Sequence, residues 1–173
     1  MTQDRVTAGV LIIGDEILSG RTQDTNLNAI ARYLGVHGID VAEARVVGDV
    51  EGEIVATVNH LRERYDYLIT TGGIGPTHDD ITADAIAKAL GVTIDIDARA
   101  ADLLQAFFAK RGVAPTPARL RMARVPKGAT LIDNPVSKAP VFQIGNVFVM
   151  AGVPKIMQAM LEQVVPRLTK GVP

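Results

Sequence analysis

Residues 67–80 read YLITTGGIGPTHDD, and the change of character within them decides the fold. Tyr67 to Thr71 is a short β-rich run, Gly72, Gly73 and Gly75 then remove side chains where the chain turns, and a helix is predicted near Asp80 to Leu90. A strand that passes through glycines into a helix reads as one crossover of a parallel sheet, and the flanking sequence repeats it. Upstream, Val6 to Ile13 is a continuous apolar run ending at Gly14, as expected of a strand buried on both faces. Asp24-Thr25-Asn26 then precedes LNAIARYLG, which has helical apolar spacing. Asp40 to Val47 supplies a further strand and Glu51 to Arg64 a further helix.

Downstream, Val92 to Ile96 leads into a predicted helix from Asp97 to Lys110 that stops at Arg111-Gly112. Ala114-Pro115-Thr116-Pro117 opens a shorter helix carrying Arg119, Arg121 and Arg124. VFQIGNVFVM, residues 141–150, reads as an antiparallel hairpin turning at Gly145-Asn146, and Gly152-Val153-Pro154 introduces a last helix, roughly Lys155 to Leu168. The fold class is therefore α/β: a mostly parallel open sheet, helices on both faces and a C-terminal antiparallel hairpin, forming one domain over residues 1–173.

Composition narrows the function. With 173 residues, 47% of them hydrophobic and 21% charged, the chain can bury roughly 70% of its unfolded surface and needs neither disulfide nor structural metal to fold. It has no cysteine, which excludes thiol chemistry and Cys-ligated zinc. No apolar run approaches the 18 or so residues of a membrane span, and MTQDRVTAGV at the start lacks a signal segment. A cytoplasmic protein without a membrane partner is expected.

The net charge of −1 conceals two unlike halves: residues 1–102 carry 17 acids and 8 bases, residues 103–173 carry 2 acids and 10 bases. Between Asp102 and Asp133, Lys110, Arg111, Arg119, Arg121, Arg124 and Lys127 run without an acid. That run is either a solvated face or an attractor for an anionic ligand or acidic partner. Nucleic acid is a poor candidate, because only 4% of the chain is aromatic and no aromatic lies between Phe108 and Phe142 to stack bases.

In an open parallel sheet, ligands bind beyond the carboxyl ends of the strands. The polar, glycine-rich segments all fall there: Gly14, Asp15, Glu16 and Asn26 after the first strand, Asp49 after the second, and Thr71, Gly72, Gly73, Gly75, Pro76 and Thr77 after the third. The glycine loop suits an anion, with backbone N–H groups and a helix N-terminus presented to a phosphate. It is neither a Walker A loop nor a dinucleotide fingerprint, since no Gly-Lys-Ser/Thr follows and His78 stands where the third glycine would be. Asp79 and Asp80 beside such a nest would repel the ligand unless a cation, most simply magnesium, lay between. Either could alternatively cap the helix.

Asp49 and Asp80 are the candidate catalytic acids, Asp79 and Asp80 the candidate metal ligands. Ser137 and Lys138, in the stiff loop NPVSKAP, add a hydroxyl and a cation for a phosphate, although the loop could simply be a rigid connector. Ser19 and Ser137 are the only serines, with no G-x-S-x-G elbow, so a serine-hydrolase triad is set aside.

GDEILSGRTQDTN, TTGGIGPTHDDIT, NPVSKAP and AGVPKIM, in this order from Val6 to about Leu168, together resemble the molybdopterin-binding domain found at the N-terminus of the competence/damage-inducible protein A family. The same domain resembles the molybdopterin adenylyltransferases and the N-terminal part of eukaryotic FAD synthases. The resemblance implies a three-layer α/β/α sandwich in which Gly72, Gly73 and Gly75 hold a ligand phosphate, Asp80 lies near magnesium or another divalent metal, and Asp49 is the second functional aspartate. The ligand so implied is molybdopterin or an adenine nucleotide.

Asp79 falls where the adenylyltransferases commonly carry a basic residue, which brings the chain closer to the competence-protein branch. There the resemblance implies metal-dependent hydrolysis of ADP-ribose. Val141 stands where the family usually has glycine. Many family members continue into a small second domain, some into an amidohydrolase domain for nicotinamide mononucleotide; these 173 residues hold neither. The reading thus keeps three alternatives: a ligand-binding domain, a metal-dependent ADP-ribose pyrophosphatase, and a non-catalytic interaction module. Relatives of this fold are commonly oligomeric, so a homo-oligomer is expected, with the helix bearing Leu103, Leu104, Phe107 and Phe108 as a candidate apolar patch.

Overall fold

The first strand, β1 (Val6–Ile13), takes the interior of the sheet because its side chains tolerate burial on both faces: Ala8, Val10, Leu11, Ile12 and Ile13 are at most 2% exposed. The computed structural model describes residues 5–136 and 141–169. From β1 the chain passes through one helical turn, α1 (Asp15–Leu18), to α2 (Asn26–Gly35), β2 (Ile39–Val47), α3 (Glu51–Arg64), β3 (Tyr67–Thr71) and α4 (Thr82–Leu90). β2 and β3 lie parallel on either side of β1. Next come β4 (Ile94–Ile96), α5 (Ala98–Lys110), α6 (Pro117–Leu120) and β5 (Arg124–Pro126), and β4 pairs with β5 in a small antiparallel sheet of its own. The chain ends its described course with β6 (Thr130–Ile132), β7 (Val141–Ile144), β8 (Val147–Met150) and α7 (Pro154–Val164).

The six-stranded sheet has the order β2-β1-β3-β8-β7-β6. β8 is parallel to β3, whereas β7 runs antiparallel to both β8 and β6. The expected hairpin therefore forms and gains a third strand. Its turn uses Gly145 at φ 56°, and the Asn146 amide donates to the carbonyls of Arg62, Tyr65 and Asp66 at 2.8–3.3 Å. Those bonds fasten the hairpin to the loop preceding β3.

Alternation along the strands separates two cores. Ala8, Val10, Ile12 and Phe148 pack against Ile30 and Leu34 of α2 and Met157, Met160 and Leu161 of α7. Leu11, Ile13, Val147 and Val149 pack against Ile54, Val58 and Leu61 of α3, Ile86 of α4 and Leu104 of α5. The result is the three-layer sandwich, and each buried Leu, Ile or Phe contributes about 1.5–3 kcal/mol. On α5, Leu104 is buried and Phe108 packs against the second core, while Leu103 is 45% exposed. Among the described residues, no helix is long and apolar enough to cross a membrane.

One predicted boundary is corrected. The helix expected from Asp80 begins at Thr82, because Asp80 belongs to a preceding turn in which its own N–H donates to the Thr77 carbonyl at 3.1 Å.

Candidate functional site

Strand register brings the loops together. Ile13 pairs with Val47, Ile12 with Thr71 and Thr71 with Met150, so β1, β2, β3 and β8 finish at one edge and their loops leave side by side.

The first two loops are clasped by their aspartates. The Gly14 N–H donates to the Val47 carbonyl at 3.0 Å, the Asp15 N–H to the Asp49 carboxylate at 3.1 Å, and the Asp49 N–H back to the Asp15 carboxylate at 3.0 Å. Burial raises the pKa of Asp49; the Asp15 N–H opposes this, and the negative charges of Asp15, Glu16 and Asp80 reinforce it. Acids of the first and third loops thus act on the carboxyl of the second.

The glycine loop has a shape that only glycine permits. Gly72 and Gly73 have φ of 98° and 71°, and a Cβ would drive Gly72 into the Ile13 carbonyl oxygen and Gly73 into the Thr82 hydroxyl. Thr82, fully buried at the start of α4, donates its hydroxyl to the Gly72 carbonyl at 2.9 Å and its N–H to the Gly73 carbonyl at 3.0 Å. With those carbonyls engaged, the N–H groups of Gly73, Ile74 and Gly75 form no hydrogen bond among the described residues. Successive N–H donors without partners in a glycine turn are the kind of group from which anion nests are built.

The two adjacent aspartates separate. Asp80 turns back onto the loop, its Oδ2 accepting from the Thr77 N–H at 2.9 Å and hydroxyl at 2.8 Å. Gly75 lets it approach, since a Cβ there would lie 2.7 Å from the carboxylate. Asp79 faces outward and pairs with His78 at 3.4 Å, both side chains largely exposed. Neither caps α4, whose cap position, Ile81, supplies no side-chain bond. The capping alternative is thereby corrected: α4 is tied down by Thr82 instead. Among the described residues, no three His, Asp or Glu side chains are grouped closely enough to hold a metal ion by themselves.

Asn26 supports the site from behind. It is 3% exposed and donates its amide to the Gly152 carbonyl at 2.8 Å, and Gly152 lies so close to the glycine loop that a Cβ on it would sit 3.1 Å from the Gly72 Cα. Asn26 Oδ1 is buried without a partner in a recess of about 60 Å³ that Thr71 also lines. In front of the loop opens a larger cavity of about 610 Å³. Glu16, Gly72, Gly73, Gly75, Pro76 and Asp80 form one wall; Leu104, Phe107, Phe108, Arg119, Met122 and Ile156 form the other.

Of the residues singled out in the sequence, Gly14, Asp15, Glu16, Asp49, Thr71, Gly72, Gly73, Gly75, Pro76, Thr77 and Asp80 share this edge. Asn26 acts through Gly152, Asp79 faces solvent, and Ser137 and Lys138 lie outside the described residues. Sequence reading missed Thr82 and did not place the apolar side of the cavity at this edge. The hydroxyl two residues beyond Asp80 was the available signal for Thr82; the apolar patch on α5 was legible, but was read as a surface for self-association rather than as part of this cavity.

A family model described as a probable molybdopterin binding domain matches residues 9–170. A CinA-like protein of Myxococcus xanthus is 38% identical over 164 residues, and one of Geobacter sulfurreducens 43% over 161. The alignments cover 92% and 90% of this chain but only 39% of each relative, so the chain spans well under half the length of these curated relatives. Among solved structures, a CinA protein of unknown function from Thermoplasma acidophilum superposes with a TM-score of 0.85 at 36% identity, covering 93% of this chain and 98% of that one. The molybdopterin biosynthesis enzyme MoaB of Thermus thermophilus gives 0.61 at 25%, covering 94% and 91%. The chain therefore belongs to the molybdopterin-binding domain family as a CinA-type, MoaB/Mog-like member.

Proposed function

We propose that the crevice binds a small phosphate-bearing ligand, an adenine nucleotide or molybdopterin, with a divalent cation such as magnesium between its phosphates and the acids. The carrying observation is the row of free N–H groups at Gly73, Ile74 and Gly75, held open by Thr82. They receive a phosphate; Pro76 and Thr77 close the loop around it.

The acid cluster fits a cation by its chemistry. Burial, reinforced by the negative charges of Asp15, Glu16 and Asp80, raises the pKa of Asp49, and a bound cation would relieve the repulsion. With no three His, Asp or Glu side chains among the described residues grouped to hold it alone, Asp80 and Asp49 are the residues to share it with ligand phosphate oxygens. Such an ion supplies charge neutralisation at the phosphates.

A second reading, ADP-ribose pyrophosphatase activity, is favoured by that same raised Asp49. A carboxylate of increased basicity beside the phosphates takes a proton from water as the water oxygen bonds to phosphorus and the phosphoanhydride breaks, giving AMP and ribose 5-phosphate. Calorimetry with ADP-ribose and AMP, with and without magnesium, tests binding, and release of AMP tests turnover. Magnesium-dependent binding without AMP release leaves the first reading alone. If no nucleotide or pterin binds or raises the melting temperature at millimolar concentration, the domain is an interaction module; a ligand at 100 times its Kd adds about 2.7 kcal/mol.

A further inference from the structure

The two edges of the six-stranded sheet are unlike. β6 is three residues long, whereas β2 runs nine residues from Ile39 to Val47 with β1 as its one neighbour. A long edge templates a further strand unless prolines, lysines or bulges guard it. β2 contains neither proline nor lysine, and its register shift against β1 falls at Ala42, leaving Glu43 to Val47 in unbroken register. Val47 turns its backbone towards β1, since its carbonyl accepts from the Gly14 N–H at 3.0 Å. Alternation then points the N–H and C=O of Ala44 and Val46 away from the sheet, where no strand among the described residues meets them. The side chains along this row, Ala42, Ala44 and Val46, are small and exposed.

Charge determines what fits this edge. Residues 41–47 hold one acid and one base, Glu43 and Arg45, on the same face, where Arg45 donates Nε and Nη2 to Glu43 Oε1 at 3.0 and 2.9 Å. An antiparallel copy of the strand, related by a two-fold axis at Ala44, sets Ala44 against Ala44, Ala42 against Val46, and each Glu43 against the Arg45 of the other copy. Outward-facing backbone then meets outward-facing backbone, and the charges fall at non-hydrogen-bonded pairs, where side chains come closest. An axis at Glu43 or Arg45 opposes like charges instead, and one midway between residues sets outward-facing backbone against inward-facing backbone. A groove of about 480 Å³ between α2 and β2, lined by Ala31, Gly35 and Ala42, adjoins the position that the register gives to the copy's Val46. From this we infer that β2 is a self-association edge, at which two copies of this chain join antiparallel through residues 42–46 into one continuous sheet. The inference stands apart from the phosphate reading of the glycine loop.

Sedimentation and cross-linking test it. Across micromolar to millimolar concentrations the wild-type chain should reach twice its 18.4 kDa. The chain has no cysteine, so Ala44→Cys places a single thiol at the axis; an oxidant should link two copies there, because an opposed hydrogen-bonded pair lies about 5.5 Å apart at Cα, within disulfide reach. Leu103→Cys, exposed on α5, should not link. Glu43→Arg and Arg45→Glu each oppose like charges and should weaken the dimer on the order of tenfold. Mixed together, these two variants should regain it as a heterodimer, since each supplies the charge the other lacks. Ala44→Pro removes an N–H that β1 does not use and should abolish the dimer; should it fail to fold, the charge variants and the cross-link decide. A wild-type monomer throughout, a link through Leu103→Cys and none through Ala44→Cys, or a mixture no tighter than either charge variant alone overturns the assignment.

Discussion

The two walls of the cavity come from the two oppositely charged halves of the chain and are built by different means. The first wall, residues 14–16 and 72–80, is short-range architecture: Thr77 holds Asp80, Thr82 holds Gly72 and Gly73, and Asp15 and Asp49 clasp each other across adjacent strand ends. The second, from Leu104 to Ile156, holds its place by apolar packing on the core. Hydrogen bonds with fixed partners give the first wall a set geometry, which the proposed phosphate and cation would need. Apolar burial has no direction, so the second wall offers a surface and leaves orientation to its ligand.

The comparison breaks most severely at Gly72. Gly72→Ala demands a left-handed backbone from an L-residue and puts a methyl into the Ile13 carbonyl, so denaturant unfolding should show a loss of more than about 2 kcal/mol. A loss under about 1 kcal/mol would mean the loop is free to relax and the first wall is not rigid. Thr82→Val comes next. It preserves shape but strips the buried Gly72 carbonyl of its donor, and about 1–3 kcal/mol should be lost. Thr82→Ser, which restores the hydroxyl, should recover most of that.

Asp80→Asn sharpens the distinction between holding the loop and holding a ligand. Asn can still accept from Thr77, so unfolding should change by less than about 1 kcal/mol, while magnesium-dependent affinity for ADP-ribose falls on the order of tenfold or more. Equal magnesium dependence in variant and wild type would remove Asp80 from the site.

The smallest effect is expected at Asp49. Its raised pKa means the folded chain binds that proton more tightly than the unfolded one, so the group's contribution is most favourable below the ordinary carboxylate value of about 4 and is lost as pH rises through the raised value. Asp49→Asn should therefore melt level with or above wild type at neutral pH, the difference closing at about pH 3. A variant that melts lower at neutral pH would show that the clasp with Asp15 outweighs the charge repulsion.

Much of the polar wall was legible because its signals are local. Three glycines between a strand and a helix marked the loop, and carboxylates after successive strands marked the acid cluster. Between Asp79 and Asp80 the local pattern gave no choice and only the family resemblance favoured Asp80; adjacent identical residues are told apart physically by which one the turn at Thr77 points inward. Thr82 escaped because the helix was expected two residues early, which placed its hydroxyl inside a helix rather than at the joint.

By itself, the sequence determined the alternation of strand and helix, the parallel sheet with its terminal hairpin and the family to which the chain belongs. Each follows from periodicity or from motifs a few residues long, which depend on near neighbours. Tertiary structure alone decided that Gly152 rests against Gly72, that Asp49 feels the charge of Asp80, and that Phe108, Arg119 and Met122 line the same cavity as the glycine loop. Those relations join residues about 30 to 80 positions apart, and their strength depends on distance through space, on burial and on exclusion of water, none of which is written in the order of residues along the chain.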